Sequence, residues 1–314
     1  MLTYHRIVDQ KIEQCSKDEA TLLVCVAPQN GEMQELLDTY QIPEHDIRSC
    51  LDVNELGRLA LEEDYSLLIL KRPKNYSTLD NLLFKIDSLG VFLVGGKMIV
   101  VMVEPHPLLE GKHFARVKGL NDVLIKILFG TVTHFLGHLN GIQMISDDLE
   151  QKISSSMSNK YLIQMFSLEK SLVYYLNAII SNARVIEKLR INAGKLGFTE
   201  ENVEMLDDII IDNQQCQKQT EIYLNILTGL MDARGSIVGN NLNVLIKRLT
   251  LINIIFMPLA VLAGIGGMSE YTMMTEKWGI GWKLGYPLFL VFAVVIGLLT
   301  YRMVNRFLGK GGTE

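Results

Sequence analysis

The sequence predicts an α+β membrane protein, with an N-terminal α/β domain, long stalk helices and two C-terminal transmembrane helices. Three observations predict this. Strand-like runs are confined to the first 118 residues, helical spacing with few breakers fills the middle, and two runs of membrane-spanning length lie near the C-terminus. The expected divisions are 1–118 (α/β domain), 119–248 (helical and stalk region), 249–268 (first span), 269–283 (outer loop), 284–304 (second span) and 305–314 (tail).

The bulk properties fit. A chain of 314 residues holds one large or two ordinary domains. A mean hydropathy of +0.20 is high for a soluble protein and low for a polytopic one, so the apolar excess is local. A net charge of −5 gives no global pull toward nucleic acid, and no nucleic-acid partner is expected. Cys15, Cys25, Cys50 and Cys216 are scattered without a C-x-x-C pair, which reads as reduced thiols rather than a disulfide frame or zinc site. The opening "MLTYHRIVDQKIEQC" is polar, so no cleaved signal peptide is expected.

In the first segment, "TLLVCVAP" (21–28), "YSLLILKRP" (65–73) and the pair "VFLVGG" and "KMIVVMVE" (91–104) read as strands. Gly95 and Gly96 supply the hairpin turn of that pair. Helical patterns lie between them at 32–42 and 45–52. From about Asn121 two long helical stretches follow, the second at 159–190. Thr199 stands as a candidate N-cap ahead of Glu200 and Glu201. The next helical pattern meets no proline until Pro258. Continuous to Met268, it amounts to roughly 100 Å of helix at 1.5 Å per residue, the length of a stalk rather than of a bundle helix.

Leu249 to Met268 holds no charged residue, and about 20 apolar residues are needed to cross a bilayer core. Leu284 to Val304 is similar until Arg302. Between the two, "SEYTMMTEKWGIGWK" carries two acids and two lysines, and Trp278, Trp282 and Tyr286 sit as interfacial aromatics. Lys247 and Arg248 precede the pair; Arg302, Arg306 and Lys310 end it. The positive-inside rule then puts both termini in the cytoplasm of a cell-membrane protein, with the linker outside. A buried helical hairpin in a soluble protein is the weaker reading.

Positions 243, 246, 250, 253, 257, 260, 264 and 267 alternate in steps of three and four, so they share one side of a supercoiled helix. They are Asn243, Ile246, Thr250, Asn253, Met257, Ala260, Gly264 and Gly267, whereas Leu251, Ile255, Leu259 and Leu262 lie elsewhere. Two explanations fit a polar and small stripe within a span: close helix packing, or the wall of a water-filled pore. The glycine-rich end favours the pore. A helix C-terminus leaves carbonyls without intrahelical partners, and glycine exposes them with no side chain. A ring of such carbonyls binds cations or their water shells.

The stretch "ILTGLMDARGSIVGNNLNVLIKRLTLINIIFMPLAVLAGIGGMS", followed by "WKLGYPL", resembles the CorA-type divalent metal cation transporters; "CLDVNELGRLALEEDYSLLILKRP" (50–73) is similar to their cytoplasmic domain. The resemblance covers essentially the whole chain, most strongly from Ile226 onward. It implies a homopentameric funnel in the lipid bilayer, with five first spans around a central pore. Residue by residue, it implies an ion filter at Gly267, Met268 and Ser269, where the family has Gly-Met-Asn. Asn243, Ile246 and Leu249 fall at the cytoplasmic constriction and Met257 in a hydrophobic gate, while Ala260 and Gly264 line the outer half. Asp208 falls where some members hold a regulatory divalent ion between subunits. The serine is the departure. It is shorter than asparagine and offers a hydroxyl in place of an amide, so the ring is expected to be wider or to rely on backbone carbonyls and on the adjacent Glu270. Mg²⁺ dehydrates reluctantly, so a filter that accepts its hydrated form suits it.

Other signals carry less. His134 and His138 have the i, i+4 spacing of a helical zinc site but no third ligand nearby in sequence. "SDDLE" (146–150) reads as a solvated acidic face. Asn75-Tyr76-Ser77 fits a glycosylation pattern on the expected cytoplasmic side, where it is silent. "GIGG" follows no strand and is no nucleotide loop. With no nucleophile–base constellation, the chain is not read as an enzyme and needs no cofactor.

The favoured reading is a potential-driven channel for Mg²⁺ or related ions (Co²⁺, Ni²⁺, Zn²⁺), with Glu270 and Glu276 concentrating cations at its mouth. Two alternatives stand beside it: a membrane-anchored sensor or scaffold whose conduction is altered or lost, and a proton-coupled zinc transporter.

Overall fold

The computed structural model describes residues 1–76, 82–155 and 159–310, and separates into two compact units, 1–231 and 232–314. Ser77 and the tail residues 311–314 lie outside the described residues, as do the side chains of Trp282 and Lys310.

Unit 1 is built on a seven-stranded sheet of β1 (Leu2–Val8), β2 (Lys11–Gln14), β3 (Leu22–Val26), β4 (Arg58–Leu61), β5 (Tyr65–Pro73), β6 (Ile86–Val94) and β7 (Lys97–Met102). The spatial order is β2-β1-β3-β7-β6-β5-β4. Among the described residues only the central β3–β7 pair is parallel; the other neighbours run antiparallel. The β6–β7 turn falls on Gly95 and Gly96, both in the left-handed region (φ 54° and 74°), the conformation that a two-residue hairpin of this hand requires.

The central strands are apolar on both faces because helices cover both. Leu22, Leu68, Leu70, Val91, Met98 and Val100 join one core with α3 (Leu120–Ser155) and α4 (Asn159–Ile191). Their alternates Leu23, Cys25, Leu67, Ile69, Phe92 and Ile99 join a second core under α1 (Asn30–Tyr40) and α2 (Glu44–Leu51). Successive side chains on a strand point to opposite faces, which explains the near-continuous apolar runs. The weaker strands β1, β2 and β4 were not expected from the sequence. Tyr4, His5 and Arg6 break up β1, Lys11 and Glu13 flank Ile12 in β2, and β4 is four residues long, so none shows a long apolar run.

α3 is long and apolar enough to cross a membrane, but 56% of its most apolar stretch is buried within the fold, against 6% for the corresponding stretches of the two C-terminal helices. It is a core helix. α4 is tied to the sheet by polar groups. Asn182 accepts from the Lys71 amide (2.8 Å) and donates to the Lys71 carbonyl (2.6 Å), completing β5 where the shorter β4 has ended. Ser181 and Ser171 accept from the amides of Gly57 and Phe84 at 2.7 and 2.9 Å.

α5 (Glu200–Gly266) runs for 67 residues and passes from unit 1 into unit 2. Thr199 caps its start, trading hydrogen bonds with Asn202 in both directions at 3.2 Å. Arg190 of α4 grips Asp207 with two nitrogens, at 2.7 and 3.1 Å. All four cysteines are free thiols, and burial pushes those of Cys25, Cys50 and Cys216 up to about 11, 12 and 12. Those three are buried apolar groups, and Cys15 is half-buried.

Unit 2 contains the end of α5, α6 (Ser269–Lys277) and α7 (Trp282–Lys310). Three boundaries differ from expectation. α5 stops at Gly266 rather than Met268. The stretch 269–283, expected as a loop, is largely the helix α6. It closes in a Schellman turn at Gly279 (φ 73°), with Gly279 N–H on Glu276 O and Ile280 N–H on Thr275 O, both 3.0 Å. Finally, α7 continues through 305–310, expected as tail, because no proline or turn residue interrupts it before Gly309.

Asn182→Ala strands a buried N–H and a buried C=O on Lys71. Each such group costs about 1–3 kcal/mol, so thermal or denaturant unfolding should show a loss within or above that range.

Candidate ion pathway

The site begins with the face of α5 that packs against α7. Leu251, Ile255, Pro258, Leu259, Leu262 and Gly266 are the positions of this stretch that are partly or fully covered. Among the described side chains of α7 the covered positions are Phe289, Ala293, Ile296, Gly297 and Thr300, with Gly285 lying against Thr275 of α6. Small residues admit large ones across this contact. A Cβ on Gly297 would lie 3.5 Å from Leu259, and one on Gly266 only 2.7 Å from the Phe289 ring. Pro258 removes one helical N–H, which membrane helices tolerate when neighbours are close.

The stripe predicted from spacing lies on a different face. Asn243, Ile246, Leu249, Thr250, Asn253, Met257, Ala260 and Gly264 are all exposed in the single chain, Met257 at 72%. The small residues of the stripe therefore do not serve packing between α5 and α7, which removes the intrachain form of the packing explanation. Thr250 satisfies its own hydroxyl by donating to Ile246 O at 2.9 Å. Asn253 has no hydrogen-bond partner among the described residues. A bare carboxamide within an apolar span is costly unless it faces water or another polar helix face.

At the end of the stripe the chain turns sharply. Gly267 N–H closes on Ala263 O at 3.1 Å and Met268 N–H on Ile265 O at 3.2 Å. Met268 is extended and occupies the position before α6, so Gly267, Met268 and Ser269 form the junction of two helices. The Ser269 hydroxyl lies 3.4 Å from the Glu270 carboxylate. Glu270, in the first turn of α6, is favoured there by the helix dipole, and Glu276 lies near its other end. Trp278 and Tyr286 are exposed.

Asp208 lies on α5 in unit 1, beside the Asp207 that Arg190 has taken. It is exposed and has no ion-pair partner among the described residues. The acids 147, 148 and 150 lie on α3, where Lys152 pairs with Asp148 at 2.5 Å. No group of three or more metal-ligating side chains occurs among the described residues. His134 and His138 do acquire a neighbour invisible in the sequence: His106 stacks on His134, with ring centroids 5.6 Å apart. His138 Nδ1 lies 2.6 Å from the Tyr175 hydroxyl and is a packing residue.

Residues 18–306 match the family model described as CorA-like Mg²⁺ transporter protein. The chain belongs to this family. Among curated proteins it is 25% identical over 316 residues to the cobalt/magnesium transport protein CorA of Methanocaldococcus jannaschii, covering 96% of this chain and 95% of the relative. The protein of the same name from Thermotoga maritima is 27% identical over 274 residues, covering 84% and 75%. The complete structure of the M. jannaschii CorA magnesium transporter superposes with a TM-score of 0.78 at 22% identity, over 97% of this chain and 96% of that one. The family's fold thus extends over the α/β domain, the long helices and the two C-terminal helices alike.

Gly266→Ala should lower the thermal midpoint of the detergent-solubilised protein, by an overpacking cost of about 1–3 kcal/mol against Phe289. Gly264→Ala, whose Cβ meets nothing within 4 Å, should leave that midpoint unchanged.

Proposed function

We propose that this protein carries divalent cations across a cell membrane through a pore lined by α5, with both termini in the cytoplasm. The observation that carries the proposal is the division of α5 into two faces. Its leucine face packs on α7, and its polar and small face, with Asn253 unpartnered, is left uncovered in one chain. Copies of the chain arranged around an axis give that face water and one another. Family membership supports the substrate class, since both curated relatives are named for cobalt and magnesium transport. The assembly proposed is a homopentamer.

In this reading each residue has a physical task. Glu270 and Glu276 raise the local cation concentration at the mouth. Backbone carbonyls at Gly267 and Met268, with Ser269, meet the ion in its water shell, which suits Mg²⁺ and its reluctance to dehydrate. Gly264 and Ala260 keep the outer pore wide. Met257 closes it by excluding water, Asn253 and Thr250 re-wet it, and Leu249, Ile246 and Asn243 form the inner constriction. The negative-inside potential drives entry, worth about 2.3 kcal/mol per charge per 100 mV. Asp208 supplies one ligand for a regulatory ion between subunits.

A second reading rests on Ser269, whose hydroxyl is turned toward Glu270 rather than held as a free amide would be. A filter altered in this way supports a sensor with little conduction.

Flux of Mg²⁺, Co²⁺, Ni²⁺ and Zn²⁺ into proteoliposomes separates the readings. The channel reading expects potential-driven uptake insensitive to a pH gradient, and a changed ion ranking in Ser269→Asn. It also expects about a tenfold loss in Asn253→Leu, equivalent to about 1.4 kcal/mol of added barrier. Uptake that appears only in Ser269→Asn supports the sensor. Zinc uptake that follows the pH gradient supports proton coupling and contradicts the channel.

A further inference from the structure

The polar stripe of α5 and the leucine face that packs on α7 lie on opposite sides of one helix. Asn253 is two residues from Leu251 and Ile255, and Met257 is two from Ile255 and Leu259. Two residues turn an α-helix by about 200°. With the stripe toward a pore axis, α7 stands outside α5, and the side of α7 turned away from α5 meets lipid.

That outer side has one chemistry along most of its length. Leu288, Val291, Val295 and Leu298 follow steps of three and four and are all exposed. They lie about half a turn from the covered Phe289, Ala293, Ile296 and Thr300. From Leu288 to Leu298 the face measures about 15 Å at 1.5 Å per residue, one leaflet of a hydrocarbon core of ~30 Å. Continuing the same face by two steps of four gives Arg302 and Arg306. Both are exposed, and neither has a hydrogen bond or ion pair among the described residues.

The depth of these arginines follows from the contact between the helices. Gly297 lies against Leu259 and Gly266 against Phe289, so α5 and α7 are antiparallel. Arg306 is then level with 249–250 and Arg302 with 253–254. Lys247 and Arg248 mark the edge of the span on α5. Arg302 therefore leaves its helix about 8 Å inside that edge. A guanidinium at such a depth is costly unless its stem carries it outward to a partner at the headgroup level. Neither helix offers an acid there. The sequence has none between Asp232 and Glu270 or between Glu276 and Glu314. Asp232 precedes Arg248 by about 24 Å of helix.

We propose that Arg302 and Arg306 bind the headgroup phosphate of an anionic phospholipid whose acyl chains lie along the Leu288–Leu298 face, a reading that rests on the pore geometry proposed above. Residues four apart on a helix are neighbours, and a planar guanidinium matches phosphate oxygens in pairs. In a zwitterionic lipid the headgroup's own ammonium offsets the phosphate, so two unpaired arginines favour a lipid of net negative charge. The contiguous apolar face selects a lipid over free phosphate, which has no use for it. In the proposed orientation this lipid belongs to the cytoplasmic leaflet.

The test is native mass spectrometry of the full-length, detergent-solubilised protein, titrated with phosphatidylglycerol and with phosphatidylcholine of the same acyl chains. The expected result is saturable binding of phosphatidylglycerol, about tenfold or more tighter than that of phosphatidylcholine. Its affinity should fall about fivefold in Arg302→Gln or Arg306→Gln and about thirtyfold in the double variant, the losses expected for one and two cations near an anionic surface. Lys277→Gln, near the other end of the helix pair, should leave it unchanged. Equal binding of the two lipids, a preference that survives in the double variant, or an equal loss in Lys277→Gln overturns the proposal. Sodium phosphate that displaces phosphatidylglycerol at equal concentration overturns the assignment to lipid. The readout is bound lipid, so a protein that conducts no ion contradicts the channel and leaves the lipid site standing.

Discussion

A backbone that crosses hydrocarbon has to find its hydrogen-bond partners within its own helix, and the same helix has to do something with any polar side chain it carries. In this chain both demands fall on α5. Its amide ladder extends from the Thr199 cap to Gly266, so the segment that crosses is continuous with the one packed in unit 1. Once the leucine face of its membrane portion is committed to α7, Asn253 and the small residues have no apolar surroundings that suit them. In the proposed assembly the demand is met by water or by the same face of other copies.

The rest of the molecule can be read from that division. The contact of α5 with α7 needs small residues at Gly266 and Gly297, and so fixes which face remains. The end of α5 at two glycines lets the chain turn within three residues and start α6 with Ser269 and Glu270 at its N-terminus, where negative charge is favoured. In unit 1, the requirement is to cover both faces of one sheet. α1 and α2 cover one and α3 and α4 the other, with the Asn182 carboxamide replacing backbone partners where β4 runs out.

The architecture was legible wherever a single periodicity dominated. β5 reads at its observed bounds in the sequence because the nine residues from Tyr65 to Pro73 contain one apolar run closed by a proline. The polar stripe was readable because helical spacing alone decides which residues share a face. What escaped has physical causes too. β1 and β2 are partly exposed hairpin strands whose mixed side chains resemble a loop. α6 reads as a loop in the sequence because its nine residues carry no amphipathic pattern, and its defining feature is the turn at Gly279. The junction of His106 with His134 is a tertiary contact across 28 positions, which no local pattern can announce. The sequence separated the faces of α5 but left open whether the polar one packs within the chain; only the covered positions of α5 and α7 decide that it does not.

The central claim is that the stripe faces water while the leucine face does not. Cysteines placed singly from 249 to 267, in a chain whose four native cysteines have been replaced, and challenged in membranes with a charged thiol reagent, test it most directly. The account predicts modification at 250, 253, 257, 260 and 264 and protection at 251, 255, 259 and 262. Modification that follows the leucine face, or that shows no helical period, would contradict it.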